Sequence, residues 1–236
     1  MKEKLRRPFG IIALLLAISL LFSGCDLLLP IDDTSHLQSA DLESVPAFDG
    51  ETPYVIINEN VPFFTEEEKV TVSFEEYGEL DDLGRCTVTF ACVGVDLMPT
   101  EERGSISGVK PSGWHTVKYE FISGNYLYNR CHLIGYQLTG ENANKKNLIT
   151  GTRFLNIEGM LPFENMVADY VTETGNHVMY RATPIFEGKN LLASGVLLEA
   201  WSVEDNGEGI CFNVYAYNAQ PGVIIDYATG ESYAEE

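Results

Sequence analysis

Tyr128-Asn129-Arg130-Cys131-His132-Leu133-Ile134-Gly135 is the stretch on which the reading of this chain turns. Ser123-Gly124-Asn125 before it is a turn signal, so Tyr126 to Asn129 reads as a strand that returns from a strand over Thr116 to Ile122. His132 then falls just after a strand and before a short connection. Three polar residues follow at intervals: Asn147, Asn156 and Glu164. Leu148-Ile149-Thr150 is another short strand, and a helix is expected over Met160 to Thr174. In that helix Met160, Phe163, Met166, Val167, Tyr170 and Val171 share one face at helical spacing. Pro162 fits only in the first turn and Gly175 stops the helix. The imidazole, two carboxamides and a carboxylate are thus threaded through a strand–strand–helix pattern.

Outward from that core, Val70 to Phe74 alternates like a half-buried strand, and Cys86 to Val95 is a β-branched run suited to a central strand. Pro99 to Gly113 reads as a long surface loop. Val178 to Pro184, Leu191 to Trp201 and Gly209 to Tyr217 complete the strands. Asp205-Asn206-Gly207 is a strong turn signal between the last two. The fold class is α+β, with a mainly antiparallel sheet.

The four polar residues fit one chemistry. Phosphodiester hydrolysis needs a base for the attacking water, charge neutralisation at the phosphate and stabilisation of the departing oxygen. An imidazole titrates near neutral pH, which suits His132 to the base role. Mg²⁺ prefers oxygen donors and keeps several waters, and the side-chain oxygen of Asn156 can hold it directly. Glu164, about two helical turns further, can orient the metal's waters or a buried partner. His36, His115 and His177 have no comparable neighbourhood.

Three segments carry a family resemblance: Asn129-Arg130-Cys131-His132, Asn147-Leu148-Ile149-Thr150, and Leu155-Asn156-Ile157-Glu158-Gly159-Met160-Leu161-Pro162-Phe163-Glu164. They resemble the DNA/RNA non-specific endonuclease family, whose active site is the ββα-metal (His-Me finger) motif. The likeness runs from roughly Leu80 to Gly230. The family's core motif usually reads Asp-Arg-Gly-His; Asn129 and Cys131 depart from it in the manner of streptococcal-type secreted DNases. The resemblance implies that His132 is the general base and Asn156 the direct ligand of Mg²⁺ or Mn²⁺. It makes Asn147 and Glu164 supporting residues and puts Arg130 at the phosphate or the edge of the metal site. An upstream arginine that contacts phosphate is also implied, and Arg103 is the candidate. The expected substrate is DNA, and RNA as a further one, cut to 5′-phosphate products. Little sequence preference is expected, since a backbone-directed site reads no base edges. Cys131 is read as a small-residue replacement, not as a nucleophile.

The flanks suggest where such an enzyme works. Lys2, Lys4, Arg6 and Arg7 precede an apolar run over Gly10 to Phe22, too short for a comfortable span and suited to a signal peptide. Leu21-Phe22-Ser23-Gly24-Cys25 resembles a bacterial lipobox, with Cys25 lipidated. Residues 1–24 are therefore a leader, 25–50 the lipidated cysteine and a flexible tether reaching roughly 25–30 Å, 51–230 the domain and 231–236 a frayed tail. The protein is expected to be exported and lipid-anchored on the extracytoplasmic face of the membrane, with no obligate protein partner. Cys86, Cys92, Cys131 and Cys211 remain; export permits disulfides, but the spacing does not choose between pairing and free thiols.

The net charge is −20, and more acidic still once the leader is removed. The basic residues nevertheless cluster. Arg103, Lys110, Lys118, Arg130, Lys145, Lys146 and Arg153 share a window with only Glu120 and Glu141. A polyanion would be repelled at long range and attracted at that face. Two other readings compete. The absence of aspartate at position 129 suggests a nucleic-acid-binding lipoprotein without catalysis, and the overall acidity suggests an adhesion or inhibitor lipoprotein without DNA affinity.

Overall fold

The computed structural model describes residues 45–235; the expected leader, the lipidation at Cys25 and most of the tether lie outside them. No helix among the described residues is long and apolar enough to cross a membrane. Six strands form the main sheet: β1 (Tyr54–Ile56), β2 (Phe74–Tyr77), β3 (Thr89–Val93), β6 (Val178–Ile185), β7 (Gly195–Ser202) and β8 (Cys211–Tyr217). Their order is β1-β8-β7-β6-β3-β2, and every neighbouring pair is antiparallel. β4 (Tyr128–His132) and β5 (Leu148–Thr152) make a separate two-stranded ladder, as do β9 (Val223–Ile225) and β10 (Ser232–Ala234). Among the described residues the α-helices are a short α1 (Tyr136–Thr139) and a long α2 (Leu161–Thr174). This is the α+β, mainly antiparallel class that the sequence implied.

The period-2 geometry of strands explains the two cores. In β7, Val196, Leu198 and Ala200 face α2 and meet Phe163, Val167 and Val171. Leu197, of opposite parity, packs with Tyr215 and Tyr217. Burying Phe163, Val167 and Val171 stabilises the helix docking by about 1.5–3 kcal/mol each. Glu199 is buried on the far face, where the Arg181 guanidinium donates to it at 2.9 Å and also pairs with Glu68. Because both faces are covered, the central strands read as nearly continuous apolar runs.

The second ladder is fastened to the sheet through Asn218. This fully buried side chain accepts from Thr152 N–H (2.8 Å) and donates to the carbonyls of Thr150 and Ala193. Thr152 in turn caps the helical segment that follows: its hydroxyl accepts from Leu155 N–H at 2.9 Å. Residues 155–160 wind as a π-helix before α2 begins, and α2 ends at Gly175 with φ 71°. Gly151 leaves room for Cys131, whose sulfur would lie 2.3 Å from a Cβ built there.

Several expectations need correction. His132 is the last residue of β4, not beyond a strand. The segment 116–122 forms only an isolated bridge, Lys118 to Tyr126, and the expected strand over Val70 to Phe74 starts at Phe74 instead. Met166 is 47% exposed, so the apolar face of α2 is narrower than its spacing suggested. The fold takes in residues before 51: the Phe48 ring meets Phe154 edge-on and lies tilted against Tyr217, and the Tyr217 hydroxyl donates to Pro46 O. The expected frayed tail is β10, held against β9 by a turn in which Asp226 N–H donates to Glu231 O. The four described cysteines are free thiols, three of them buried.

Candidate active site

β4 and the loop before it, the start of α1, the π-helical segment and the head of α2 surround a cavity of about 770 Å³. His132, Arg103, Arg130, Arg153, Asn156 and Glu164 all line it. The sequence expectation therefore converges for His132, Asn156, Glu164, Arg130 and Arg103.

His132 is held at the end of β4 with 6% of its surface exposed. Its Nε2 lies 2.7 Å from the carbonyl oxygen of Asn142. A carbonyl only accepts, so Nε2 carries the proton and Nδ1 holds the lone pair. Nδ1 is approached by a guanidinium nitrogen of Arg103 at 3.3 Å, from the exposed loop between β3 and β4. Burial lowers the imidazole pKa to about 4, assisted by the charge of Arg103 and opposed by the bond to Asn142. The ring is a neutral acceptor at pH 7. The backbone carbonyl of Asn142 thus orients the imidazole, although no aspartate stands at position 129.

Glu164 enters from the first turn of α2 and is buried. Its carboxyl lies so close to Gly135 that a Cβ there would meet it at 2.6–3.1 Å. Burial pushes its pKa up to about 8, with Arg103 pulling the other way. No hydrogen-bond donor among the described residues reaches it. The side chain of Asn156, in the π-helical segment, is likewise free of protein hydrogen bonds. A carboxyl and a carboxamide oxygen without protein donors, facing one polar cavity, fit a divalent ion that retains water ligands.

Two of the expected residues hold backbone segments around the cavity. Asn147 does not line the cavity. It is fully buried, its Oδ1 accepting from Ile134 N–H (2.8 Å) and its Nδ2 donating to Ile134 O (2.9 Å). It clips together the chain just after His132. Arg130 does line the cavity, but Nε donates to Val109 O (2.5 Å) and a terminal nitrogen to Ser107 O (2.9 Å), with the guanidinium 4.0 Å over the Trp114 ring. It holds the loop around residues 107–109. Cys131 is fully buried and burial raises its thiol pKa, which agrees with a packing role. The sequence reading missed the Asn142 carbonyl and the Asn218 anchor; a backbone acceptor leaves no mark in residue type.

The pattern of the family described as DNA/RNA non-specific endonuclease matches residues 66–204. A deoxyribonuclease of Streptococcus dysgalactiae subsp. equisimilis is 26% identical across 70% of this chain; the chain spans 62% of that relative's length. The Sda1 nuclease structure with bound zinc is 30% identical, with TM-score 0.59, across 70% of this chain and 82% of that one. NucA from Streptococcus agalactiae with magnesium bound has TM-score 0.70 at 24% identity, across 86% and 98% of the two chains, which is a likeness of fold.

Proposed function

The chain belongs to the DNA/RNA non-specific endonuclease family, and from that premise we propose that it is a metal-dependent endonuclease that hydrolyses the phosphodiester bonds of DNA, and of RNA as a second substrate. One observation carries the reading: a buried neutral imidazole, its proton fixed on Nε2 by Asn142 O, turns its Nδ1 lone pair into a cavity that also holds Asn156 and Glu164. Magnesium is bound in the NucA structure and zinc in that of Sda1.

In this proposal His132 Nδ1 takes the proton of the attacking water. Asn142 O then steadies the second N–H as the ring becomes charged. Arg103, which donates to Nδ1 in the free protein, swings its guanidinium to a phosphate oxygen and uncovers the lone pair. Asn156 Oδ1 would hold Mg²⁺ or Mn²⁺ directly, with Glu164 orienting water bound to it. When bound, such an ion offsets charge on the phosphate and the departing oxygen. Asn147 keeps the strand end in register and so supports the base indirectly. A site directed at the sugar–phosphate backbone reads no base edges, so cleavage would show little sequence preference.

We further propose that the protein is exported and held at the extracytoplasmic face of the membrane through Cys25. The basic start, the apolar run Gly10 to Phe22 and the small residues before Cys25 support this. Metabolic labelling with a fatty acid, compared with Cys25→Ala, tests it; equal label in the two proteins refutes it.

The test of activity is digestion of circular plasmid and of RNA by the purified protein, with Mg²⁺, Mn²⁺ or EDTA, beside His132→Ala. Cleavage that needs both the metal and His132 is expected, with a loss of about 10²–10⁴-fold in the variant. Intact plasmid in every lane, with the protein folded, would refute catalysis and leave nucleic-acid binding as the function.

A further inference from the structure

We propose that Arg153 is the residue that grips a phosphate of the bound nucleic-acid strand, at a subsite distinct from the loop held by Arg130; this deepens the endonuclease reading and rests on it. The argument starts from which charges are already answered. Among the described residues, Lys69, Arg85, Arg130, Lys146 and Arg181 are the other basic side chains at least partly buried, and each has a partner. Lys69 pairs with Glu66, Arg85 with Asp81, Lys146 with Glu79 and Arg181 with Glu199. Arg130 donates to two carbonyls and lies over Trp114. Arg153 is partly buried too, yet among the described residues its guanidinium has no hydrogen-bond, ion-pair or ring partner. In a chain with 35 acidic residues, withholding a counter-charge from a partly buried arginine leaves its donors for a ligand.

Position supplies the rest. Arg153 lines the same cavity as His132. Its backbone N–H donates to Leu127 O at 2.7 Å, which fixes where the chain leaves β5. Arg153 stands three residues before Asn156, at the head of the helical segment whose π-helical turn carries Asn156, and both side chains line the cavity. An anion gripped by Arg153 therefore shares the cavity with whatever Asn156 holds. Asn129 also lines the cavity, and its amide nitrogen is buried without an acceptor. β4–β5 register sets Asn129 opposite Gly151, two residues before Arg153. A guanidinium and an amide, both donors, call for a ligand with several acceptor oxygens, and a phosphodiester supplies them.

The experiment measures binding of a labelled DNA duplex to the His132→Ala protein against salt concentration, with and without Arg153→Ala or Arg153→Lys, and cleavage by the single Arg153 variants. Losing one phosphate contact should lower the slope of log affinity against log salt by about 0.9. Arg153→Ala should lower kcat/KM by at least tenfold. Arg153→Lys should recover the salt slope but only part of kcat/KM, since a point charge lacks the two-pronged fork. An Arg153→Ala protein that melts with the parent and keeps its slope and kcat/KM overturns the subsite while leaving the endonuclease intact. Should Arg153→Ala fold poorly, an unchanged slope and rate in Arg153→Gln overturns it equally. A parent protein that neither binds nor cuts DNA overturns both proposals.

Discussion

Replacing Asn147 with alanine separates a structural clip from a catalytic group. The carboxamide makes two buried hydrogen bonds, both to the backbone of Ile134, itself fully buried. Truncation leaves Ile134 N–H and C=O without partners inside the protein. Each orphaned group costs about 1–3 kcal/mol, so the expected loss is about 2–6 kcal/mol. That is a large share of the total stability of about 5–15 kcal/mol for a domain. The bond from Leu133 N–H to Asn147 O is made by backbone atoms and persists, which argues for the lower half of the range. Urea unfolding followed by tryptophan fluorescence should show a midpoint lower by about 1 M at unchanged slope. Activity per folded molecule should also fall, because the loosened segment begins two residues after His132. Asn147→Asp keeps an acceptor for the N–H but sets a carboxylate against the carbonyl, so it should be no better than alanine. An Asn147→Ala protein within about 0.5 kcal/mol of the parent yet inactive would refute the clip and return Asn147 to the chemistry.

Gly135→Ala builds a methyl group 2.6 Å from a Glu164 oxygen, so it should displace the carboxyl and cut kcat by at least tenfold while shifting the melting temperature by only a few degrees; full activity would show that the Glu164 position is not demanding. Burial raises the Glu164 pKa to about 8 from an ordinary 4.5, so the folded state keeps a proton that the unfolded chain gives up. The stability from this group is complete below about pH 4.5 and is lost as pH rises through about 8. In EDTA the parent should therefore lose melting temperature relative to Glu164→Gln between pH 5 and 8.5. His132, shifted in the opposite direction, titrates in both proteins and drops out of the difference. A constant difference across that range would contradict the raised pKa.

What the sequence conveyed was local or periodic. The helix stop at Gly175 and the turn at Asn206-Gly207, both with positive φ, follow from residues that tolerate that backbone. His132, Asn156 and Glu164 were found because their types and spacing belong to one chemistry. What stayed hidden depends on distant contacts. Nothing local distinguishes Asn147, which clips Ile134, from Asn156, which faces the cavity; burial decides, and burial is tertiary. Arg130 lies in the motif, but its carbonyl partners come from the loop twenty residues earlier. β1 was not anticipated, since it exists only by pairing with β8, more than 150 residues on. Phe48 was read as tether because the stretch that holds it is rich in Asp, Ser and Pro and has no sustained period, whereas Tyr217 and Phe154 draw it into the fold.

The free cysteines have a practical consequence. Burial raises the thiols of Cys86 and Cys92 to about 12 and that of Cys131 above its ordinary value, so a thiol reagent reacts only when the surrounding structure opens. Cys131 sits in the active-site ladder and Cys92 in the main sheet. Their labelling rates in the unperturbed protein are therefore two separate clocks, one for opening of the strand that carries His132 and one for opening of the sheet. Cys92 reacting no faster than global unfolding, with Cys131 ahead of it, would mean that the β4–β5 ladder breathes on its own. Matched rates would mean that Asn218 makes ladder and sheet a single cooperative unit.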